Sequence, residues 1–137
     1  MANPKGVLPI LWGGITASVV IYGVIAFLVV PPRPEIDPAS WTGDPLVIGL
    51  HLAGLASLAG SFIVPPALAR RRTGQADVAQ RQAWILRWAL LESVGIFGLV
   101  AALLLRDARA FLLLGALSLV GLLTAFPRTE GDVERAR

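Results

Sequence analysis

Four long apolar runs dominate this 137-residue chain, at residues 10–30, 46–64, 84–105 and 110–126, with most charged residues confined between and beyond them. At a helical rise of about 1.5 Å per residue, the first three can cross a hydrocarbon core about 30 Å thick. The fourth lies at the short end of the usable range, so its flanks must snorkel or the bilayer must thin. Lipid offers backbone N–H and C=O groups no partner, so a run that crosses it must be helical. The four residues 106–109 between the last two runs force a tight antiparallel hairpin. The expected fold is an all-α integral membrane protein, one domain over residues 1–137. It has four transmembrane helices, polar loops at 31–45 and 70–82, and a solvated tail at 128–137.

Composition agrees. Hydrophobic residues make up 55% of the chain and charged ones only 15%, where a soluble domain carries about 25% charged. The mean hydropathy is +0.71. The absence of cysteine excludes a disulfide framework, a thiolate metal site, an Fe–S cluster and a Cys nucleophile. The net charge of +3 does not point to nucleic acid, because the basic residues sit at the ends of apolar runs, where topology explains them. Lys5, Arg70, Arg71, Arg72, Arg81, Arg87, Arg128, Arg135 and Arg137 fall on one side, against Arg33, Arg106 and Arg109 on the other. This bias puts both termini in the cytoplasm, the placement expected for a bacterial inner membrane. Trp12, Trp84 and Trp88 then lie near the inner interface and Trp41 near the outer one. The first run reads as a retained span rather than a cleaved signal. One Lys precedes it, it exceeds the length of an h-region, and no small-x-small site precedes Pro31-Pro32.

The chain contains an internal repeat. Residues 17–26 (ASVVIYGVIA) align without gaps with residues 92–101 (ESVGIFGLVA), so the sequence reads as two repeated helix hairpins. The copies differ at one decisive place, where Ala17 matches Glu92.

Glu92 is the only acidic residue inside any of the four runs. It lies eight residues past Trp84, about 12 Å into the core by helix rise. A charged side chain there costs about 2.5 to 3.5 kcal/mol to insert, which the apolar residues of the span offset. Desolvation disfavours an ionised group, so a carboxyl that takes up and releases a proton is the leading use of Glu92. The alternative is a neutral Glu that hydrogen-bonds another helix and only fixes packing. At its depth the second helix offers Ala56 and Ser57 and the first offers Ala17 and Ser18. Ser57 and Ser61 are the expected partners of the carboxyl, with Ser93 beside it. His51 lies about 10 Å away along the membrane normal and is expected to bridge helices by a hydrogen bond, or less readily to relay protons. A single His with no second ligand argues against a metal site or haem. Arg87, five residues before Glu92, is off its face and can snorkel toward the inner headgroups. Gly49, Ala53, Ala56 and Gly60 on the second helix, and Gly95 and Gly98 on the third, are expected to let helices approach closely.

The stretch from His51 to Leu105 resembles the proteolipid c subunit of rotary ATP synthases. It pairs a Gly/Ala-rich helix (LAGLASLAG, residues 52–60), a basic loop and a second helix (ALLESVGIFGLVAALL, residues 89–104). The resemblance implies that Glu92 binds the coupling ion. In that family the aromatic five places after the Glu is Tyr, whose hydroxyl helps hold the carboxyl; here Phe97 stands there, and the repeat copy has Tyr22. The second helix lacks the Gln of sodium-binding members, so the implied ion is a proton. The loop lacks the family's Arg/Gln-Pro turn, and two further runs flank the hairpin, in an economy similar to that of the tandem four-span proteolipids of vacuolar-type pumps.

Together these features point to a non-enzymatic, proteolipid-like subunit that needs no cofactor beyond H+. It would act in the bilayer as a homo-oligomer or within a larger complex. The competing class is an accessory subunit whose Gly/Ala/Ser faces and Glu92 serve helix packing. No Ser/His/Asp set at one depth and no phosphate-cradling Gly loop supports an enzyme.

Overall fold

Proline opens the first two α-helices. In the computed structural model, which describes residues 4–32, 35, 37–71 and 76–127, four α-helices follow one another, with no strand among the described residues. Helix α1 (Pro4–Val29) opens on a proline, whose missing N–H is no loss in a first turn, and stops just before Pro31 and Pro32. Helix α2 (Pro45–Arg71) also opens on proline, and Asp44 caps it by accepting the Leu46 N–H at 2.9 Å. Helices α3 (Ala76–Leu105) and α4 (Arg109–Thr124) complete the bundle. The loop between α1 and α2 carries a short 3-10 helix, Pro38–Gly43, capped by Asp37. The expected tail at 128–137 lies outside the described residues, as do Arg33, Arg72, Arg128, Arg135 and Arg137 of the charge count.

Three helices are long and apolar enough to cross a membrane, through Val7–Val29, Pro45–Leu68 and Val78–Leu105. The fourth, α4, is shorter than its apolar run, with 16 residues. At about 1.5 Å per residue it reaches about 24 Å. Three boundaries differ from the sequence expectation, the first being the start of α1 at Pro4, six residues before its apolar run. Helix α2 continues through Pro65 and Pro66 instead of ending there. The break is tolerable because only the N–H donors to Ser61 and Phe62 are lost, and Pro65 is buried. Helix α3 starts well before Trp84, because residues 76–83 mix alanines with Gln and Arg, good helix formers, while Asp77, Gln80, Arg81 and Gln82 keep the stretch from counting as apolar. Hydropathy marks where lipid begins, not where helix does.

Helix α3 is the centre of the bundle and packs on all three others, whereas α1 and α2 share no comparable interface. The first helix pair therefore does not close as a hairpin. Residues 106–108 hold α3 and α4 together, but the longer connection between Val29 and Pro45 carries α1 and α2 to different sides. The α3–α4 seam follows alternating three- and four-residue steps: Trp88, Leu91, Gly95, Gly98 and Ala102 are buried on one helix, Phe111, Leu114, Ser118, Gly121 and Ala125 on the other. Gly98 is required there. A β-carbon on it would lie 3.0 Å from Leu114 Cβ and 3.4 Å from the Gly115 backbone nitrogen. Ser118 Oγ donates across the seam to the Leu91 carbonyl at 2.6 Å.

On α2 the buried line runs through Val47, Gly54 and Ser61, seven apart, and on to Pro65. The expected packing row is therefore corrected in part. Gly49 faces open space, Ala56 is exposed, Ala53 is half-buried and Gly60 meets only Leu90, at an ordinary 3.8 Å. Gly49 and Ala56 lie two residues past Val47 and Gly54, about 200° around the helix, so they share a seven-residue spacing with the buried line but point away from it. Gly54, against Leu114, is the close-packed glycine of α2.

Trp88 also departs from expectation. It is fully buried rather than at an interface, and its indole N–H donates to the Ala125 carbonyl at 2.9 Å. Trp12 does the same for the Leu122 carbonyl at 2.8 Å. These two indoles reach carbonyls at the C-terminal end of α4: that of the C-cap Ala125, which lies beyond the last helical residue, and that of Leu122, which also takes the Ala125 N–H at 3.1 Å.

Candidate functional site

Ser18 and Tyr22 stand one turn apart on α1 and share a face. Opposite them on α3 is Glu92, half-buried. Its Oε1 accepts the Ser18 hydroxyl at 2.6 Å and the Tyr22 hydroxyl at 3.0 Å. Close approach of the two helices depends on Gly95, where a β-carbon would lie 3.3 Å from Val19 Cγ1 and 3.2 Å from Ser118 Oγ. Val19, at 2% exposure, seals one side of the contact. The second carboxyl oxygen of Glu92 takes no hydrogen bond from the described residues.

The hydrogens in this cluster can be counted. Ser18 Oγ also lies 2.7 Å from the Ile15 carbonyl oxygen, but a hydroxyl has one hydrogen to give. When the carboxyl is ionised, Ser18 and Tyr22 both donate to Oε1. When it is protonated, the Glu92 O–H can donate to Ser18 Oγ, and Ser18 turns its hydrogen to the Ile15 carbonyl, which can only accept. Both protonation states find partners in one arrangement of heavy atoms.

The expected partners are placed elsewhere. Ser61, fully buried on α2, donates to its own helix at the Leu58 carbonyl (2.6 Å), and Ser93 does likewise at Leu90 (2.7 Å). No hydrogen bond from Ser57 occurs among the described residues. The physical reason is angular. Leu90, which meets α2 at Gly60, is two residues from Glu92, about 200° around the helix. Glu92 therefore faces away from α2. Depth alone made Ser57 and Ser18 equal candidates. The repeat was the signal that could have chosen, because it places Ser18 and Tyr22 where α3 has Ser93 and Phe97.

His51 Nδ1 pairs with the Val47 carbonyl at 2.8 Å, within α2 rather than between helices. A further polar cluster lies at the α3–α4 turn. Asp107, fully buried, pairs with Arg109 at 2.7 Å and accepts the Arg109 backbone N–H at 3.0 Å. The Arg109 guanidinium lies 5.7 Å from the Trp41 ring centroid, and its hydrogen bond to Asp107 raises its pKa above the ordinary arginine value.

Comparison with protein-family models, with curated proteins and with solved structures finds no match.

Proposed function

We propose that this chain is a small proteolipid-like membrane subunit in which Glu92 reversibly binds a proton, as part of ion translocation in a larger assembly. In this reading the four helices all lie in the bilayer of a bacterial inner membrane with both termini cytoplasmic, α4 spanning a locally thinned region. The observation that carries it is the hydrogen count at Glu92, whose partners serve the ionised and the protonated carboxyl alike. The resemblance to c subunits gains support from Tyr22. A tyrosine hydroxyl does reach the carboxyl, supplied by the repeat copy on α1 instead of by the position of Phe97 on α3.

The test is labelling by a hydrophobic carbodiimide, which attacks protonated carboxyls accessible from lipid, in native-like membranes across pH. Labelling confined to Glu92, abolished by Glu92→Gln and fading as pH rises, is the expected result. No labelling at any pH would sink the reading.

The accessory-subunit alternative is favoured by a different observation. Glu92 and Trp12 make the side-chain hydrogen bonds that tie α1 to the other helices. If the carboxyl never titrates, its role is that of a clamp.

A further inference from the structure

Between α2 and α3, at the end of the bundle where the two helices are joined, lies a groove of about 320 Å³ lined by Ser61, Phe62, Pro65, Gln80, Trp84 and Arg87. We propose that this groove holds the phosphodiester of a membrane phospholipid, with Arg87 as its charged anchor. The proposal is independent of proton binding at Glu92.

Arg87 carries a full positive charge. No ion pair to it exists among the described residues, and its Nε is buried without a hydrogen-bond partner. What the protein does supply is aromatic: the guanidinium lies 5.0 Å from the Phe62 ring centroid and 5.9 Å from that of Trp84. Those contacts orient the planar group and leave its N–H donors unused. A phosphate is the anion that this fork fits, by two parallel hydrogen bonds. Helix kinship adds acceptors beside the cation. Pro65 and Pro66 have no N–H, so the Ser61 and Phe62 carbonyls lack their usual helical donors and can accept from the hydroxyls of a glycerol headgroup.

The depth is right for a phosphate. Arg87 lies three residues past Trp84, where the third apolar run begins, and Phe62 lies two residues before Val64, where the second ends. The groove thus sits where hydrocarbon gives way to headgroups, the level at which basic pockets between helices take lipid phosphates. Beside it Phe62, Ile63 and Ile85 are exposed and offer an apolar path for acyl chains.

The test uses the full-length protein in mild detergent, with native mass spectrometry to follow bound lipid. Phosphatidylglycerol, dioleoylglycerol and inorganic phosphate are offered separately and in competition. The expected result is one phosphatidylglycerol per chain, held at least about tenfold more weakly by Arg87→Gln, as loss of a bidentate charged contact implies. Neither dioleoylglycerol nor inorganic phosphate should displace it. Equal retention by Arg87→Gln, or no retention by the unmodified protein, would overturn the proposal. So would displacement by dioleoylglycerol, which shares the chains and lacks the phosphate, or by inorganic phosphate, which would make the site one for free anions. If Arg87→Gln does not fold, the two competition experiments on the unmodified protein still decide.

Discussion

The hydrogen bond from Tyr22 to Glu92 gives a measurable energy whose size depends on the charge of the carboxyl. Tyr22→Phe removes one donor at 3.0 Å and little else, and Glu92→Leu removes the acceptor while keeping an apolar side chain. A double-mutant cycle built on these two changes isolates the pair from the separate effects of each. Neutral hydrogen bonds between membrane helices contribute on average about 0.6 kcal/mol and at most about 1.7 kcal/mol. A hydrogen bond to a charged group contributes about 1.5 to 3 kcal/mol. The coupling should therefore be about 1 kcal/mol larger where Glu92 is ionised than where it is protonated.

Reversible unfolding in bicelles, followed by steric trapping, reads the coupling directly. It should be run at acid, neutral and alkaline pH. If Glu92 exchanges a proton as proposed, the expected outcome is a coupling energy that is lower at acid pH than at alkaline pH. A coupling near zero throughout would refute the contact itself. A finite coupling that is the same at each pH would refute titration of Glu92 and leave only the clamp.

Four further substitutions test the fold that presents the site. Arg106 is the non-glycine residue with positive φ, 51°, among the described residues, and it closes α3 as the left-handed residue of a Schellman cap, with Asp107 N–H donating to the Ala102 carbonyl and Arg106 N–H to Leu103. Arg106→Gly should raise stability by about 1 kcal/mol, seen as a higher midpoint in the same unfolding assay. Asp107→Ala should lower the unfolding midpoint, because it removes the acceptor of both the Arg109 backbone N–H and the Arg109 guanidinium at the α3–α4 turn; an unchanged midpoint would mean that water satisfies those donors as well as the carboxylate does. Gly98→Val should destabilise by about 1 to 3 kcal/mol through overpacking of the α3–α4 seam, while Gly49→Ala, which meets nothing within 4 Å, should be neutral or slightly stabilising.

The helical architecture was legible in the sequence because hydropathy runs report directly on what lipid permits. Helix ends were less so. Pro65-Pro66 reads as a stop, yet α2 passes through it, since a helix loses only the donors that proline lacks and tertiary packing decides whether that loss is tolerated. The site divides along the same line. Glu92 stood out as the lone acid of the apolar runs, and its depth was computable from helix rise. Its azimuth was not, because the direction of a side chain around α3 has meaning only once the neighbours are placed. Asp107 was overlooked for a related reason. A charged residue in a short turn reads as solvated, and only the approach of Arg109 and burial at the α3–α4 corner make it structural.

The repeat explains why one carboxyl suffices. Where two copies of a helix face each other, aligned positions come close, and α1 and α3 meet through Ser18, Val19 and Tyr22 of one copy and Glu92 and Gly95 of the other. A second Glu at position 17 would add about 2.5 to 3.5 kcal/mol of insertion cost, and would set two like charges near one another whenever both ionised. Ala17 avoids both costs. Retention of Ser18 and Tyr22 in the copy that lacks the acid then has a physical use, because an acceptor on α3 needs donors, and its own helix spends Ser93 on the Leu90 carbonyl and has Phe97 where a hydroxyl would be required. Division of labour between unequal copies, acid on one and hydroxyls on the other, is what the paired sequences and the hydrogen bonds jointly imply. Exchanging the two, with Ala17→Glu and Glu92→Ala in one chain, should fail to rebuild the site, since Phe97 offers no hydroxyl to a carboxyl on α1.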